Sequence, residues 1–338
     1  MHPHLKLTRQ QILAFRRRVG GLEQRSPPGP ESLQRAAWAG LQDSMPRAAL
    51  LSLHARVEDV GPSSWDDPSL IQLWGPRYNT YVVAERDFAL FSLGRLPDNE
   101  KGRRRAEETA ALVNAHLDGR RLTDREVAGA LRMGNAIRYA ATTGTVAIRW
   151  EGARAPVIWT VEASDVDPAD ACSELARRYL HIFGPTTAHG FARWAGISGR
   201  AGAAAFAALE SSLVAVRSPL GDGWLLADDE PAMRAGEVSD AAARLLPSGD
   251  AYFLLNRAER ELLVPTAEHR AQLWTSRVWP GALLVEGEIR GTWRRANEIV
   301  RIGAWTKLTP EAHGAVEAEA RSLPLPGLDR EIEVVWET

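Results

Sequence analysis

Gln42, Asp43 and Ser44 adjoin one another in the segment Trp38–Arg56, WAGLQDSMPRAALLSLHAR. An apolar helical run ends just before them, and an amphipathic one restarts at Arg47, so the three polar side chains fall in a helix–helix corner flanked by Leu41 and Met45. Side chains of these types suit either of two tasks, acid–base chemistry at an exposed corner or the capping of the following helix. Asp or Ser ahead of Pro46 is an ordinary N-cap arrangement with proline in the first turn. A corner that only changes direction more often carries Gly or Asn, and has no need of Gln and Asp together.

Other chemistry is poorly represented. No G-x-x-x-x-G-K or strand-linked G-x-G-x-x-G segment is present, which argues against a bound nucleotide cofactor. None of the eight histidines forms an H-x-x-x-H or H-E-x-x-H pair, and Cys172 is the single cysteine, so no metal site is expected. At helical spacing from Leu175, Ala176 and Tyr179, Cys172 reads as a buried apolar residue. His54, behind Leu50 and Leu51, reads as a packing residue, and His189 as exposed or DNA-facing. No G-x-S-x-G elbow marks Ser44 as a nucleophile.

The 338 residues are 45% hydrophobic and 25% charged, the balance of a soluble globular chain of two to four domains. No apolar run reaches the length of a membrane span, and the first residues lack the apolar core of a signal peptide, so a cytoplasmic protein is expected. The formal net charge of −2 excludes a uniformly basic nucleic-acid binder. Lysine occurs only at Lys6, Lys101 and Lys307, so the positive charge is almost all arginine. It clusters at Arg16–Arg18, Arg103–Arg105, Arg120-Arg121, Arg177-Arg178 and Arg294-Arg295, apart from acidic stretches at Asp228–Glu230 and Glu311–Glu319. Such separation permits one basic face on a near-neutral protein. Arginine is suited to bidentate phosphate contacts, although a G+C-rich genome would favour the same residue.

The elements that must hold the corner come in a repeated order. A helix from a Thr8 cap to Val19, a second over Glu31–Gly40 and a third over Arg47–Val57 precede strands at Leu70–Trp74 and Thr80–Val83, the winged-helix plan. Helices at Asn99–Leu117, from Leu122 with a Thr123/Glu126 capping box, and at Gly134–Ala141 precede strands at Thr145–Trp150 and Pro156–Glu162 around a turn that holds Arg154. A third set has helices at Pro168–Phe183 and within Gly184–Leu209, a turn at Gly196, and a hairpin at Leu213–Arg217 and Gly223–Leu226. After a loop at Asp228–Ser239, short strands are expected at Ala251–Asn256, Glu261–Val264, Ala282–Glu286, Glu288–Trp293 and Ile299–Trp305. Arg257–Arg260 would be a hairpin connection, and a helix at Pro310–Leu323 precedes a last strand, Glu331–Trp336. The expected fold is thus α+β, with three tandem winged-helix units (residues 1–97, 98–166 and 167–236) and a β-rich, barrel-like C-terminal domain over 237–338. The third recognition helix offers only Arg200 as a base or phosphate reader, which points to backbone and shape recognition over operator reading.

The chain resembles the winged-helix family that includes the AlkZ/YcaQ-like alkylpurine DNA glycosylases. The marks are L-Q-x-x-x-P-R-A-A at Leu41–Ala49, R-x-x-x-[HY]-x-V at Arg77–Val83, F-G-P-T-T-A-x-x-F-A-x-W-A-G at Phe183–Gly196, and G-x-x-x-G-T-W at Gly287–Trp293. The resemblance implies three tandem winged helices and a small barrel forming a C-shaped cradle for duplex DNA. The expected DNA contacts are Arg47, Arg77, Tyr81, Arg154, Arg200, Arg294 and Arg295, in a monomer without cofactor or metal. The family's catalytic motif is Gln, any residue, then Gln or Asp. Gln42 matches the first position, Ser44 holds the second, Asp43 the variable one, and Tyr81 stands where many members have His. The implied reaction hydrolyses the N-glycosidic bond of a cationic N-alkylated purine. Such a base leaves without a general acid, Gln42 orients a water, and Asp43 accepts its proton if the corner turns it toward DNA. If Asp43 instead caps the next helix, Ser44 is left in its place. The competing readings are a winged-helix DNA binder without catalysis, as regulator or lesion binder, and a protein-interaction scaffold.

Overall fold

The computed structural model describes residues 5–45, 47–152, 154–236, 242–255, 257–325, 327 and 330–337. The fold is mixed α+β, with three sheets among these residues. In the largest sheet the strands run in the order Leu41–Gln42, Thr80–Ala84, Leu70–Trp74, Val146–Arg149, Val157–Thr160, Leu122–Thr123. The first two expected hairpins are therefore not separate wings. Gln72 pairs with Ile148 and joins them edge to edge, so apolar side chains of both hairpins, Leu73, Trp74, Val146 and Ile148, are buried. The corner strand Leu41–Gln42 is short and lies at the sheet's edge against Val82 and Tyr81.

The third hairpin, Leu213–Ser218 with Gly221–Leu226, takes the N-terminal strand Leu5–Lys6 as a parallel neighbour. The helix Arg9–Val19 starts on a Thr8/Gln11 capping box and buries Ile12, Leu13 and Phe15 in one core with Leu175, Leu180 and Phe191 of the later helices. Arg16 fixes that junction, donating from Nε to Gly184 O at 3.1 Å and from Nη2 to Phe183 O. The start of the chain and the segment around residue 180 thus belong to one core.

The C-terminal strands correct the expected barrel. Arg244–Leu246, Gly281–Val285, Glu288–Ala296, Ile299–Ala304 and Glu333–Trp336 form one open sheet whose first and last strands are edges. The helix Pro310–Arg321 covers it through Val316 and Ala320, so the sheet buries a face without closing on itself. Two expected strands are also absent. The segment from Ala251 is a turn, closed by Asp250 Oδ1 accepting from Tyr252 N at 3.0 Å, and Asn256 lies outside the described residues. Arg257–Leu263 is a helix, in keeping with its Ala, Glu and Leu content. The loop expected at Asp228–Ser239 contains a short helix, Glu230–Ala235, and its last three residues lie outside the described ones.

Candidate active site

The corner turns because Gly40 adopts φ +77°, with its α-carbon so close to Phe91 that a Cβ would lie 2.8 Å from the ring. Leu41 and Gln42 then pair with the sheet, and Asp43 N donates to Thr80 O at 2.8 Å. Beyond that bond the Asp43 side chain turns inward and is 0% exposed. Oδ1 accepts from Ala49 N at 2.9 Å, and Oδ2 accepts from Gln72 Nε2 at 2.7 Å. Gln72 Oε1 in turn accepts from Trp150 N at 2.6 Å, which connects the corner to the second hairpin. Burial pushes the Asp43 carboxyl up to about 7, against the lowering effects of the Ala49 bond, Arg47, the Gln72 bond and Arg149.

An outward-facing Asp43 is therefore not what folds. The helix Ala48–His54 is entered through Arg47 at φ 66°, and the Arg47 side chain gives it no cap bond. Asp43 supplies the missing acceptor from six residues back, which is the capping role expected of an acid in this corner. Ser44 and Met45 are the exposed residues of the turn, and Pro46 lies outside the described residues.

Gln42 is half-buried, and its Oε1 accepts from the Tyr81 hydroxyl at 3.3 Å. Tyr81 is 1% exposed, and burial raises its phenol while a hydrogen bond with Arg77 opposes the rise. The other side of the Gln42 amide is bounded by Gly249, at φ +82°, whose added Cβ would lie 3.4 Å from Gln42 Nε2. Gly249→Ala is expected to strain this left-handed turn and displace the amide. For the reaction that the resemblance implies, single-turnover assays should show base release reduced by roughly tenfold with duplex affinity little changed.

The other expected DNA contacts separate into groups. Arg77 is exposed on the turn Gly75–Asn79 with φ 56°, and the following Tyr78 is also left-handed at φ 58°. Arg193 and Arg260 join Arg77 around a cavity of about 210 Å³. Arg154 lies with Arg125, Arg132 and Arg138 along an open groove of about 690 Å³ beside Trp150, and Arg138 Nη1 donates to Tyr78 O at 3.5 Å. Arg47 and Arg149 lie 4.6 and 4.8 Å from the Trp65 ring. Arg200 is instead ion-paired to Asp98 at 2.7 Å. Arg294 and Arg295 are exposed on the strand Glu288–Ala296, with Arg294 Nη2 donating to Val278 O at 3.1 Å.

The histidine and cysteine readings follow burial. His54 is buried between Arg25 Nη2 at 3.3 Å and Ser322 Oγ at 3.1 Å, and burial lowers it to about 3, so it is no base. Cys172 is half-buried, and burial raises its thiol to about 11. Among the described residues no group of three His, Cys, Asp or Glu side chains could hold a metal ion, and no helix is long and apolar enough to cross a membrane.

Sequence reasoning missed Gln72, Gly249 and Arg193. Only Gln72 left a trace: it is a lone amide inside the apolar strand Leu70–Trp74, and it is 4% exposed.

With this geometry in view, the comparisons agree on a class. The family model for AlkZ-like DNA glycosylases matches residues 36–324, and the chain belongs to that family, whose substrate is DNA. Among solved structures, the DNA glycosylase AlkZ of Streptomyces sahachiroi shares the fold with a TM-score of 0.77 and 18% identity, over 98% of this chain and 100% of that one. No curated protein matches the sequence.

Proposed function

We propose that this protein hydrolyses the N-glycosidic bond of cationic N-alkylated purines in duplex DNA, with Gln42 holding the attacking water. The observation that carries the reading is the Gln42 amide, half-buried beside the exposed Ser44 and oriented by Tyr81, within a chain of the AlkZ-like family. Three winged-helix units would form the cradle. Arg154 with its neighbouring arginines and Arg77 with Arg193 and Arg260 would meet the DNA backbone, and Arg294-Arg295 would extend that surface.

The chemistry this corner supports is narrow. Asp43 has no exposed oxygen, so it does not touch the water and acts as a positioning residue for the turn. Ser44 can hydrogen-bond a water, yet its hydroxyl is no base near neutral pH. Substrates are thus confined to bases that leave without protonation, such as N3- or N7-alkylated purines, whose positive charge already weakens the glycosidic bond. On a duplex carrying 7-methylguanine, the expected result is free base and an abasic site, detected as strand cleavage on mild alkaline treatment. A duplex with a neutral lesion should yield none.

The sequestered Asp43 and the short Ser44 favour one second reading, a lesion binder without turnover. Tight binding to alkylated duplexes with no base release across a panel of adducts would select it. In either case binding should weaken steeply as salt rises, because phosphate contacts displace counterions.

A further inference from the structure

We propose that the cavity between the turn Gly75–Asn79, the helix Ala188–Ala195 and the helix Arg257–Leu263 receives a backbone phosphodiester of the strand that carries the target nucleotide. The proposal rests on the duplex-DNA reading above and assigns a specific subsite within it. The cavity holds about 210 Å³ and is bordered by Arg77, Arg193 and Arg260. Its one carboxylate among the described residues, Glu259, accepts from Arg16 Nη2 at 3.1 Å. Three guanidiniums around one carboxylate leave a net positive charge, which repels a cationic base and attracts an anion.

Each arginine is placed by different means. Arg260 donates from Nε to Leu255 O at 3.1 Å and lies 5.1 and 5.0 Å from the Trp274 and Trp279 rings, which hold its charge in place on a cation–π platform. Arg77 is fixed by its left-handed backbone and by Gly196, whose added Cβ would come within 3.0 Å of Arg77 N. Arg193 is exposed on the helix Ala188–Ala195 and makes no ion pair with another described residue. The charge of Arg77 acts on Tyr81, and Tyr81 donates to Gln42 at 3.3 Å. An anion taken by Arg77 is therefore separated from Gln42 by one side chain, Tyr81.

The test is a walk of neutral methylphosphonates along a duplex containing a tetrahydrofuran abasic-site analogue, with affinity read by fluorescence anisotropy. For the wild type, one or two adjacent linkages near the analogue should each cost roughly tenfold in affinity. Arg193→Gln, an exposed change that leaves the core intact, should lose about as much on the all-phosphate duplex and lower the salt slope by about 1. The same variant should then be indifferent to the methylphosphonate at that linkage. Additive losses at every linkage, or Arg193→Gln binding like the wild type, would overturn the subsite while leaving the duplex reading intact. No binding of the wild type to any duplex would remove the reading itself and the subsite with it.

Discussion

Gln42→Ala is expected to lower single-turnover base release from a 7-methylguanine duplex by about a hundredfold or more, with affinity for undamaged duplex within about twofold of the wild type. The argument follows the lone pairs. Gln42 Oε1 takes the Tyr81 hydroxyl on one side, at 3.3 Å, and keeps a second lone pair with which to accept from a water. Gly249 bounds the amide on its nitrogen side, so the group is held and need not be ordered during the reaction. Alanine removes the acceptor and leaves untouched the exposed arginines proposed to meet DNA, so the loss falls on the rate. Tyr81→Phe frees the amide to rotate and should lie between, at roughly tenfold. Ser44→Asp moves in the other direction: it sets a carboxylate on the exposed side of the turn, where Asp43 does not reach, and should speed release by roughly tenfold or more. A Gln42→Ala enzyme within a few-fold of the wild type would remove Gln42 from the chemistry and return the protein to the lesion-binding reading.

The helices and hairpins were legible in the sequence wherever one element's own pattern decided them. Thr8 and Thr123 cap helices as their spacing requires, and Gly196 makes its turn at φ +75°. What failed depended on partners far along the chain. Nothing local says that Gln72 will pair with Ile148 and merge two hairpins, or that Leu5 will become a strand beside Val216. Arg257–Leu263 reads as strand and connection but folds as a helix, because a short apolar run carries no decisive period. At the candidate site, the direction of each side chain was not legible. Gln42, Asp43 and Ser44 are contiguous, yet one is half-buried, one sealed and one exposed, because the edge strand ends at Gln42 and the next helix draws Asp43 in as its cap. Gly249 reaches Gln42 from more than two hundred residues away, and no spacing rule finds it.

The second large effect is a stability that falls with pH and does so through one carboxyl group. Burial lifts Asp43 from an ordinary 3.8 to about 7, so between those values the folded chain holds a proton that the unfolded chain has released. Stability from this group is complete below about pH 4 and is lost progressively as the pH rises to about 7, on the order of 4 kcal/mol over the full span. His54 works with the opposite sign: its folded value of about 3 lies below the ordinary 6.5, so its contribution is lost as the pH falls. Urea unfolding of the wild type alone would mix the two, whereas the difference between the wild type and Asp43→Asn isolates the first. In Asp43→Asn the new amide oxygen still accepts from Ala49 N, so the helix cap survives. Its NH₂ faces Gln72 Nε2, however, so Gln72 must turn its oxygen inward and give up the bond from Trp150 N. Protonated Asp43 asks the same of Gln72, because its hydroxyl also needs an acceptor. The variant therefore fixes the neutral arrangement at every pH, and the wild type should converge on it at low pH and fall below it in midpoint as the pH approaches 7. Asp43→Ala keeps neither bond and should lose about a further 1 kcal/mol for the missing cap at all pH values. Parallel profiles for wild type and Asp43→Asn would mean that the carboxylate is already charged in the fold, held by Arg47 and Arg149 more strongly than burial opposes it.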